Sequence, residues 1–536
     1  MKLRNLILCS FLAYSQVLLG DGPLSPSQWY ALTGSSNSKV VDAIDTFTFA
    51  DAEIYSSILD PEGIAITPDR TLAYVASRSD NTVYRIDLTT ADVTSIFIPD
   101  TGNSGPFCVA ITPDGTTAYV GCLDGHKIVT FPIPDLAPTI TTLSDPDMLA
   151  GNIYAIAITP DGTKAYAANR DTNVLTFSIP ENVISGISGF DNSSDVAITP
   201  DGLTAYVANT NTNQVIPITI ADNSLQTPLS VGNSPSAIAI TANGTAVYVV
   251  NENDDSLSQI FIPGNTTNTI MFGPGDTFFG EGIAITPDSN TIFISLSEVA
   301  GADGSIAVID ISNPESPTTS FADTSGDFPT RIAITPDEAP IAAFSASEAS
   351  LGSPTTFDAS SSSSPVGTIA SYIWDFGDGS TETVSTPTTT HTYATIGHFN
   401  VSLQVINSAG TSLSQTFTGK TVSNNGGPSA RILQTVTTLP ASIQPPTNLA
   451  VTQKKNSFLA QTDLVNILTW KAPSQGSQPI LYRIYLNQLT NLIGVVSATG
   501  PLQFEDHNRK KSVYVYYIVS VDSQGNTSDP AIITKR

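Results

Sequence analysis

The chain has 536 residues, of which 40% are hydrophobic and only 13% are charged, and its formal net charge at pH 7 is −27. This acidic balance argues against a general nucleic-acid binder, which needs a basic surface for phosphates, and against docking on anionic membranes. Four histidines and three cysteines leave few ligands for zinc or haem.

Residues 1–20 are organised like a signal peptide. Lys2 and Arg4 precede an apolar run that ends at Leu19 and is shorter than the roughly 20 residues of a membrane-spanning helix. Cleavage is expected near Ser15 or near Gly20, and an uncleaved anchor is the alternative. Because no later segment reaches membrane-spanning length, we expect a secreted, periplasmic or cell-surface protein without membrane insertion.

Seven copies of one apolar strand follow. The first reads Ile-Ala-Ile-Thr-Pro-Asp from Ile64 to Asp69, and the motif threonines are spaced 45, 47, 40, 42, 45 and 49 residues apart. An aromatic residue stands seven positions after each of the first six threonines. The alternation of apolar and polar residues is typical of half-buried strands, and Pro-Asp-Gly supplies a tight turn. Four strands per repeat of this length indicate a β-propeller blade.

Residues 27–338 are therefore predicted to form a seven-bladed propeller whose two ends share a blade. The seventh copy lacks following strands, and residues 29–59 can supply them to residues 330–337, which removes exposed strand edges. The repeated Ile-Ala-Ile-Thr-Pro-Asp-Gly motif and Tyr206-Val-Ala-Asn209 resemble the YVTN-repeat β-propeller family. The resemblance implies a fold found in exported bacterial proteins and archaeal surface layers, without a single activity.

Residues 339–423 resemble a PKD domain. The resemblance rests on Phe357-Asp-Ala-Ser, on Tyr372-x-Trp374-Asp-Phe-Gly-Asp-Gly379 and on His391-x-Tyr393. Trp374 and Phe376 alternate with polar neighbours, so both are expected in the core, and His391 is interpreted as structural. The resemblance implies an extracellular interaction module.

The C-terminal part is predicted to be a linker at 424–444 and a second sandwich at 445–536. Leu468-Thr-Trp470, Tyr482-x-Ile-Tyr485 and the region from Tyr514 to Gly525 resemble a fibronectin type III domain, which implies that Trp470 anchors the core and Tyr514 forms a tyrosine corner. This domain carries nine basic and five acidic residues, whereas residues 21–444 carry 10 and 43, so their net charges are +4 and −33. The predicted fold class is thus all-β, a seven-bladed propeller followed by two sandwiches.

One face of the propeller carries the candidate site. The loops between second and third strands lie on the same face as the loops that join blades, and acidic residues dominate both sets, which include Asp195. An acidic ring there would attract a basic partner or a cation, with calcium as the cation to test and no other cofactor expected. The alternative is that acidic loops only keep an exported protein soluble. The candidate residues are Asp80, Asp124, Asp171, Glu252, Asp254, Asp255, Asp276 and Glu281.

Cys108 and Cys122 are predicted to form a disulfide. If Thr112 faces Ala118 across the Pro-Asp-Gly turn, the two cysteines lie directly opposite on paired strands, within disulfide range. Export favours oxidation, and two reduced buried thiols are the alternative.

The sequence lacks the motifs of common catalytic sites, including Gly-x-Ser-x-Gly, His-Glu-x-x-His and phosphate-binding loops. We therefore expect a monomeric, non-enzymatic binding or adhesion protein whose partner is an extracellular protein or carbohydrate, not nucleic acid. A propeller enzyme of lactonase or lyase type is one alternative, with Arg78, His126 and Arg170 as its few acid–base or charge-stabilising candidates. A structural surface-layer component is the other.

Overall fold

A computed structural model describes residues 24–99, 105–135, 138–143, 151–170, 173–272, 278–298, 304–313, 316–324, 328–347, 349–458 and 461–536. The predicted signal peptide, Asp171 and Asp276 lie outside these residues. Within them, the regular structure consists of strands and two short 3-10 turns, Thr210–Thr212 and Pro428–Ala430. No helix in these ranges is long and apolar enough to cross a membrane.

The first 29 strands form seven sheets in the described part of the chain, six with four strands and one with five. In six of them the innermost strand is the repeated Ile-Ala-Ile motif, followed by three antiparallel neighbours in chain order. The strands are β1 (Tyr30–Ser35), β2 (Val40–Asp45), β3 (Asp51–Ser56), β4 (Pro61–Ile66), β5 (Leu72–Ser77), β6 (Thr82–Asp87), β7 (Val93–Phe97), β8 (Pro106–Ile111), β9 (Thr117–Cys122), β10 (Lys127–Pro132), β11 (Thr141–Leu143), β12 (Ala155–Ile158), β13 (Lys164–Ala168), β14 (Asn173–Ser178), β15 (Ile184–Ser188), β16 (Ser193–Ile198), β17 (Thr204–Asn209), β18 (Gln214–Thr219), β19 (Ser224–Leu225), β20 (Leu229–Ser230), β21 (Pro235–Ile240), β22 (Ala246–Asn251), β23 (Ser256–Phe261), β24 (Thr266–Met271), β25 (Phe278–Ile285), β26 (Thr291–Glu298), β27 (Ser305–Asp310), β28 (Thr318–Asp323) and β29 (Pro329–Ile334).

The seven inner strands surround a central channel. Strand β4 packs beside β8, and the contacts continue through β12, β16, β21, β25 and β29 back to β4. The last sheet has the order β29-β1-β2-β3, in which Ala31 pairs with Ile334 and Leu32 pairs with Ala333. The ring is therefore closed by strands from both ends of the propeller region, and β29 has a hydrogen-bonded neighbour in β1.

The Thr-Pro-Asp-Gly turns define one face of the ring. In the second repeat, the Thr112 hydroxyl donates to the Asp114 carboxylate at 2.6 Å, and Gly115 takes a positive φ of 69°. The aromatic residue that follows each turn is buried between blades, as Tyr119 is against Phe177 with ring centroids 5.4 Å apart. We call the face with these turns the lower face and the opposite one the upper face.

The disulfide prediction is wrong because the strand register differs by one residue. Ala118 pairs with Ile111 and not with Thr112, so Cys108 lies opposite Gly121, and a bulge at Phe107 then places Cys122 opposite Pro106. Neighbouring positions on a strand point to opposite faces, so the two thiols enter different interblade clusters. Both cysteines are buried, and neither is in a disulfide.

The remaining strands build the two sandwiches. Three sheets have the orders β30-β39-β38, β31-β33-β36 and β32-β40-β37-β34-β35, and the C-terminal sandwich pairs β41-β42-β45 with β44-β43-β46-β47. The strands are β30 (Asp337–Glu338), β31 (Ser345–Ala346), β32 (Ala349–Ser350), β33 (Pro354–Asp358), β34 (Ile369–Asp375), β35 (Thr381–Val384), β36 (Thr388–Thr392), β37 (Gly397–Asn407), β38 (Thr416–Phe417), β39 (Val422–Asn425), β40 (Arg431–Leu439), β41 (Thr447–Phe458), β42 (Gln461–Lys471), β43 (Leu481–Leu486), β44 (Leu492–Ser497), β45 (Gln503–Asp506), β46 (Tyr514–Val521) and β47 (Ala531–Lys535).

Two predictions about this part need correction, and two are confirmed. Residues 424–444 are not a linker, because β40 lies within them and joins the five-stranded sheet. The Tyr516 hydroxyl, and not that of Tyr514, makes the buried hydrogen bond to Asp506 at 2.7 Å. Trp374 and Phe376 are buried as expected. The all-β fold class, a seven-bladed propeller with two sandwiches, is confirmed.

The chain divides into two compact units, and the division does not follow the sandwich boundaries. The first unit contains residues 1–342 together with 362–372 and 404–431, and the second contains 343–361, 373–403 and 432–536. Strands β38 and β39, which the sequence assigned to the first sandwich or the linker, thus belong with the propeller.

Candidate functional site: the central channel

A hairpin from the first sandwich enters the channel from the lower face. We define the plug hairpin as residues 412–427, which include β38, β39 and the turn between them. Its base lies beside the Thr-Pro-Asp-Gly turns of two blades, where Leu413 and Gly426 line a cavity of about 580 Å³ with Pro68 and Pro113. Asn424 Nδ2 reaches the Pro287 carbonyl oxygen in another of these turns at 3.4 Å.

The tip of the plug hairpin bonds to the inner strands. The Ile158 N–H donates to the Gly419 carbonyl oxygen at 2.7 Å, and the Ile198 N–H donates to that of Thr418 at 3.1 Å. Phe417 and Val422 join a buried cluster between two blades. Gly419 has a φ of 113°, and a β-carbon there would lie 2.9 Å from that of Ala157, so the close approach of the two backbones needs glycine.

A buried ion pair holds the tip at the centre of the channel. Lys420 Nζ lies 2.6 Å from Asp195 Oδ2, and Arg331 Nη1 lies 3.8 Å from Asp195 Oδ1. The same carboxylate accepts the N–H groups of Val196 at 2.8 Å and Ile238 at 2.9 Å. Burial lowers the pKa of Lys420, and the Asp195 charge opposes this shift. These four contacts satisfy a carboxylate whose side chain is only 1% exposed.

Only small spaces remain around the tip. Two cavities of about 80 and 40 Å³ border Lys420, and residues from all seven inner strands line them. They have room for a few water molecules but not for a substrate of ordinary size. The plug hairpin therefore fills the lower part of the channel, and ligand access is left to the upper mouth.

Three glutamates gather at the upper mouth. Burial raises the pKa of Glu62 to about 8, and the nearby Asp60 and Glu281 charges raise it further, against Arg331 and Arg78. Desolvation by the surrounding wall also raises the pKa of Glu281, although its side chain still reaches solvent, and Arg331 and Arg170 oppose the shift. Burial and the Glu281 charge raise the pKa of Glu252. The mouth thus holds carboxyl groups that bind protons more readily than exposed ones do.

Two arginines and two aromatic rings complete the mouth. The Arg331 guanidinium lies 5.3 Å from the Phe107 ring, which packs edge-on against Tyr154 with centroids 4.9 Å apart. Arg170 lies 3.6 Å from the Tyr154 ring and donates to its hydroxyl at 2.9 Å. Planar rings, guanidinium groups and carboxyl groups gathered at one mouth are typical of a ligand-binding site.

The structure separates the predicted acidic ring into different roles. Glu252 and Glu281 belong to the mouth. Asp124 pairs with Arg78 at 3.0 Å, and Asp80 accepts the Tyr84 hydroxyl at 2.7 Å. Asp254 accepts the Asn233 backbone N–H and side-chain amide, which ties its loop to the connection before β21, and Asp255 is fully buried. Within the described residues, no group of three or more His, Cys, Asp or Glu side chains could hold a metal ion.

The sequence contained a signal for the groups that the prediction missed. Relative to the first apolar residue of each repeat, the preceding position is Gly, Cys or Ala in five copies but Asp195 and Arg331 in the other two. One position earlier stand Glu62, Phe107, Tyr154 and Glu281. When the repeats are aligned, the channel residues can therefore be recognised as the positions where a large or charged residue replaces a small one. The plug hairpin leaves no such signal, because its partners are distant in sequence.

Comparisons with known proteins support individual modules. Residues 337–422 match the family model of the PKD domain. A microbial collagenase of Vibrio alginolyticus is 43% identical over 72 residues, which cover 13% of this chain and 9% of the collagenase. The chain thus matches less than a tenth of that relative's length.

Solved structures resemble the propeller. A functionally unknown protein from Desulfotomaculum acetoxidans is 20% identical, covering 57% of this chain and 98% of its own, with a TM-score of 0.47. A putative 6-phosphogluconolactonase from Bacteroides uniformis is 16% identical, covering 57% and 99%, with a TM-score of 0.47. A streptogramin B lyase is 13% identical, covering 57% and 91%, with a TM-score of 0.43.

Proposed function

We propose that this is an exported or cell-surface binding protein that recognises an extracellular protein or carbohydrate at the upper mouth of its propeller. The observation that carries the proposal is the one-sided channel. The plug hairpin occupies the lower part, and Glu62, Glu252, Glu281 and Arg170 face the mouth on the other side. The PKD match supports an extracellular setting.

A screen of the full-length protein against glycan and extracellular-protein arrays would identify the ligand. Isothermal titration would then compare the parent with a Glu281→Gln and Arg170→Ala double variant, since both side chains are exposed at the mouth. We expect at least a tenfold weaker affinity. Asp222→Asn on the lower face is the matched control and should bind like the parent. The proposal would be contradicted if the double variant bound the ligand as tightly as the parent while substitutions on the lower face abolished binding.

A propeller enzyme remains the second candidate because of Glu62. With a pKa of about 8, this carboxyl is protonated at neutral pH and can donate a proton, and Arg331 beside it can stabilise developing negative charge. Turnover of a lactone panel by the parent, abolished by Glu62→Gln, would establish this function. Absence of turnover in the parent across the panel would leave the binding function as the sole account of the mouth.

A further inference from the structure

The C-terminal sandwich has an unusual outer face on its four-stranded sheet, β44-β43-β46-β47. Tyr482, Ile484, Tyr516 and Ile518 are buried in the core between the two sheets. Because side chains alternate along a strand, Arg483, Tyr485 and Tyr517 lie on the opposite, outer face. The outer face of an antiparallel sandwich is normally polar, so apolar and aromatic residues there require a reason.

The strand register brings these side chains into one row across all four strands. Tyr485 pairs with Leu492 on one side and with Tyr517 on the other, and Tyr517 pairs with Ile532. Leu492 is 49% exposed and Ile532 is 59% exposed. We call this set the tyrosine row. It is an unbroken apolar strip with two adjacent phenol rings at its centre.

A second row runs beside the first and adds a positive charge. Arg483 pairs with Val495 on one side and Val519 on the other; Val495 is 54% exposed, whereas Val519 is buried, so Arg483 and Val495 are the accessible part of this row. Arg483 stands two residues before Tyr485 on the same strand, about 7 Å away. Neither row contains an acidic residue, and the domain as a whole has a net charge of +4 with exposed Lys454, Lys455, Lys510 and Lys511. Charge complementarity therefore favours an anionic occupant.

The size of the strip favours a linear polymer over a protein. Three interstrand spacings give the tyrosine row a length of about 14 Å. The two rows together offer a few hundred Å², whereas a stable protein interface needs roughly 800 Å² per partner. A chain of about three sugar rings would cover the strip, and the planar phenol rings offer flat apolar faces for the apolar sides of sugars.

We propose that the tyrosine row and Arg483 form a binding site for an anionic polysaccharide. Tyr485 and Tyr517 lie under successive sugar rings, and the Arg483 guanidinium pairs with a carboxylate of a uronic acid, whose geometry its planar fork matches. This site is independent of the propeller mouth, and variants at the two sites separate the two proposals.

The test uses the full-length protein with polygalacturonic acid as probe and neutral dextran as comparison, measured by affinity electrophoresis and titration calorimetry. We expect polygalacturonic acid to bind and Tyr485→Ala with Tyr517→Ala to weaken it at least tenfold. Tyr485→Phe with Tyr517→Phe keeps the rings and should retain binding, as should Val513→Ala at another exposed apolar position. Arg483→Gln should weaken the binding of polygalacturonic acid severalfold.

Three results would overturn the proposal. The first is equal binding of polygalacturonic acid by the parent and the double alanine variant when the two proteins have the same thermal unfolding. Loss of binding on Lys454→Gln with Lys455→Gln but not on the tyrosine changes would show diffuse charge attraction. A concentration-dependent dimer of the parent that the alanine changes abolish would assign the row to a second copy of the chain.

Discussion

Lys420 and Asp195, which stand 225 positions apart in the sequence, form an ion pair of 2.6 Å at the centre of the propeller channel. One partner comes from the tip of the plug hairpin, and the other begins the repeated strand of a blade. The pair ties a segment of the PKD region to the inner wall of the propeller. The two modules in sequence are therefore one structural unit at this point.

Removing Lys420 should destabilise the propeller unit. Lys420→Met leaves the Asp195 carboxylate buried with Arg331 as its remaining cation, and we expect a loss of about 2–3 kcal/mol in the free energy of unfolding. Asp195→Asn with Lys420→Met should recover part of it, since the buried carboxylate charge is gone and only Arg331, whose side chain still reaches solvent, loses a partner. Denaturant unfolding of the four proteins measures this coupling. If the changes in the free energy of unfolding of the two single variants added up to that of the double variant, the two residues would not interact and the ion pair would be contradicted.

Glu338 should make stability depend on pH at the base of the plug hairpin. Strand β30 runs parallel to β39, where Asn425 Nδ2 donates to Glu338 Oε2 at 3.1 Å. Burial raises the Glu338 pKa to about 7, against the Asn425 hydrogen bond and the Arg70 charge, and neighbouring Asp337 and Asp69 add to the rise. Burial also raises the pKa of Asp337.

The sign follows from this raised pKa. The folded state holds its proton longer than the unfolded state, so the contribution of Glu338 is most favourable below about pH 4.5 and is lost as pH rises to about 7. The free energy of unfolding of Glu338→Gln should therefore rise relative to that of the parent as pH increases. After allowance for partial exposure of the side chain, we expect a difference on the order of 1 kcal/mol. Thermal unfolding of both proteins from pH 5 to pH 8 measures the gap. A gap that is constant with pH would refute the assignment.

Both cysteines should be reduced in the exported protein. Cys108 and Cys122 lie on opposite faces of the blade, and burial raises the pKa of Cys108 to about 11. Alkylation under native conditions should therefore be slow, because the thiolate is the reactive form. After denaturation without reductant, mass spectrometry should find two modified thiols. If no modified thiol were found, the two cysteines would be joined in a disulfide and this prediction would be wrong.

The shared blade should be as important for stability as any other. Leu32 on β1 is fully buried and pairs with Ala333 on β29, 301 residues later in the chain. Leu32→Ala should lower the free energy of unfolding by about 2–5 kcal/mol. Val183, which is 68% exposed immediately before the outer strand β15 of another blade, gives the control Val183→Ala with little change. Equal effects of the two substitutions would show that the ring is not closed by β1.

The repeats explain why most of the fold could be predicted. Each copy encodes its own strand alternation and a tight turn locally, which reads Thr-Pro-Asp in six of the seven copies, and seven copies fix the number of blades. Strand register was harder, because Ile111 and not Thr112 pairs with Ala118 beside the turn, which shifts Cys108 by one position. Strand β40 was read as linker because Asn424-Asn-Gly-Gly427 before it resembles a break.

The candidate site was predicted only in part. Loop position correctly drew attention to Glu252 and Glu281, but it could not tell them from Asp254, which bonds to Asn233 of a neighbouring loop, or from Asp255, which is fully buried. The plug hairpin depends on contacts between residues more than 200 positions apart, such as Lys420 and Asp195. Local patterns in the sequence carry no information about such contacts.

Hydrogen–deuterium exchange at the Ile158 and Ile198 amides tests the one-sided channel most directly. Both N–H groups donate to carbonyl oxygens at the tip of the plug hairpin. The full-length protein should protect these amides to nearly the level of global unfolding, and replacing residues 413–426 by a short glycine linker should expose them while neighbouring amides of β12 and β16 stay protected. Fast exchange of both amides in the intact protein would contradict a channel closed by the hairpin.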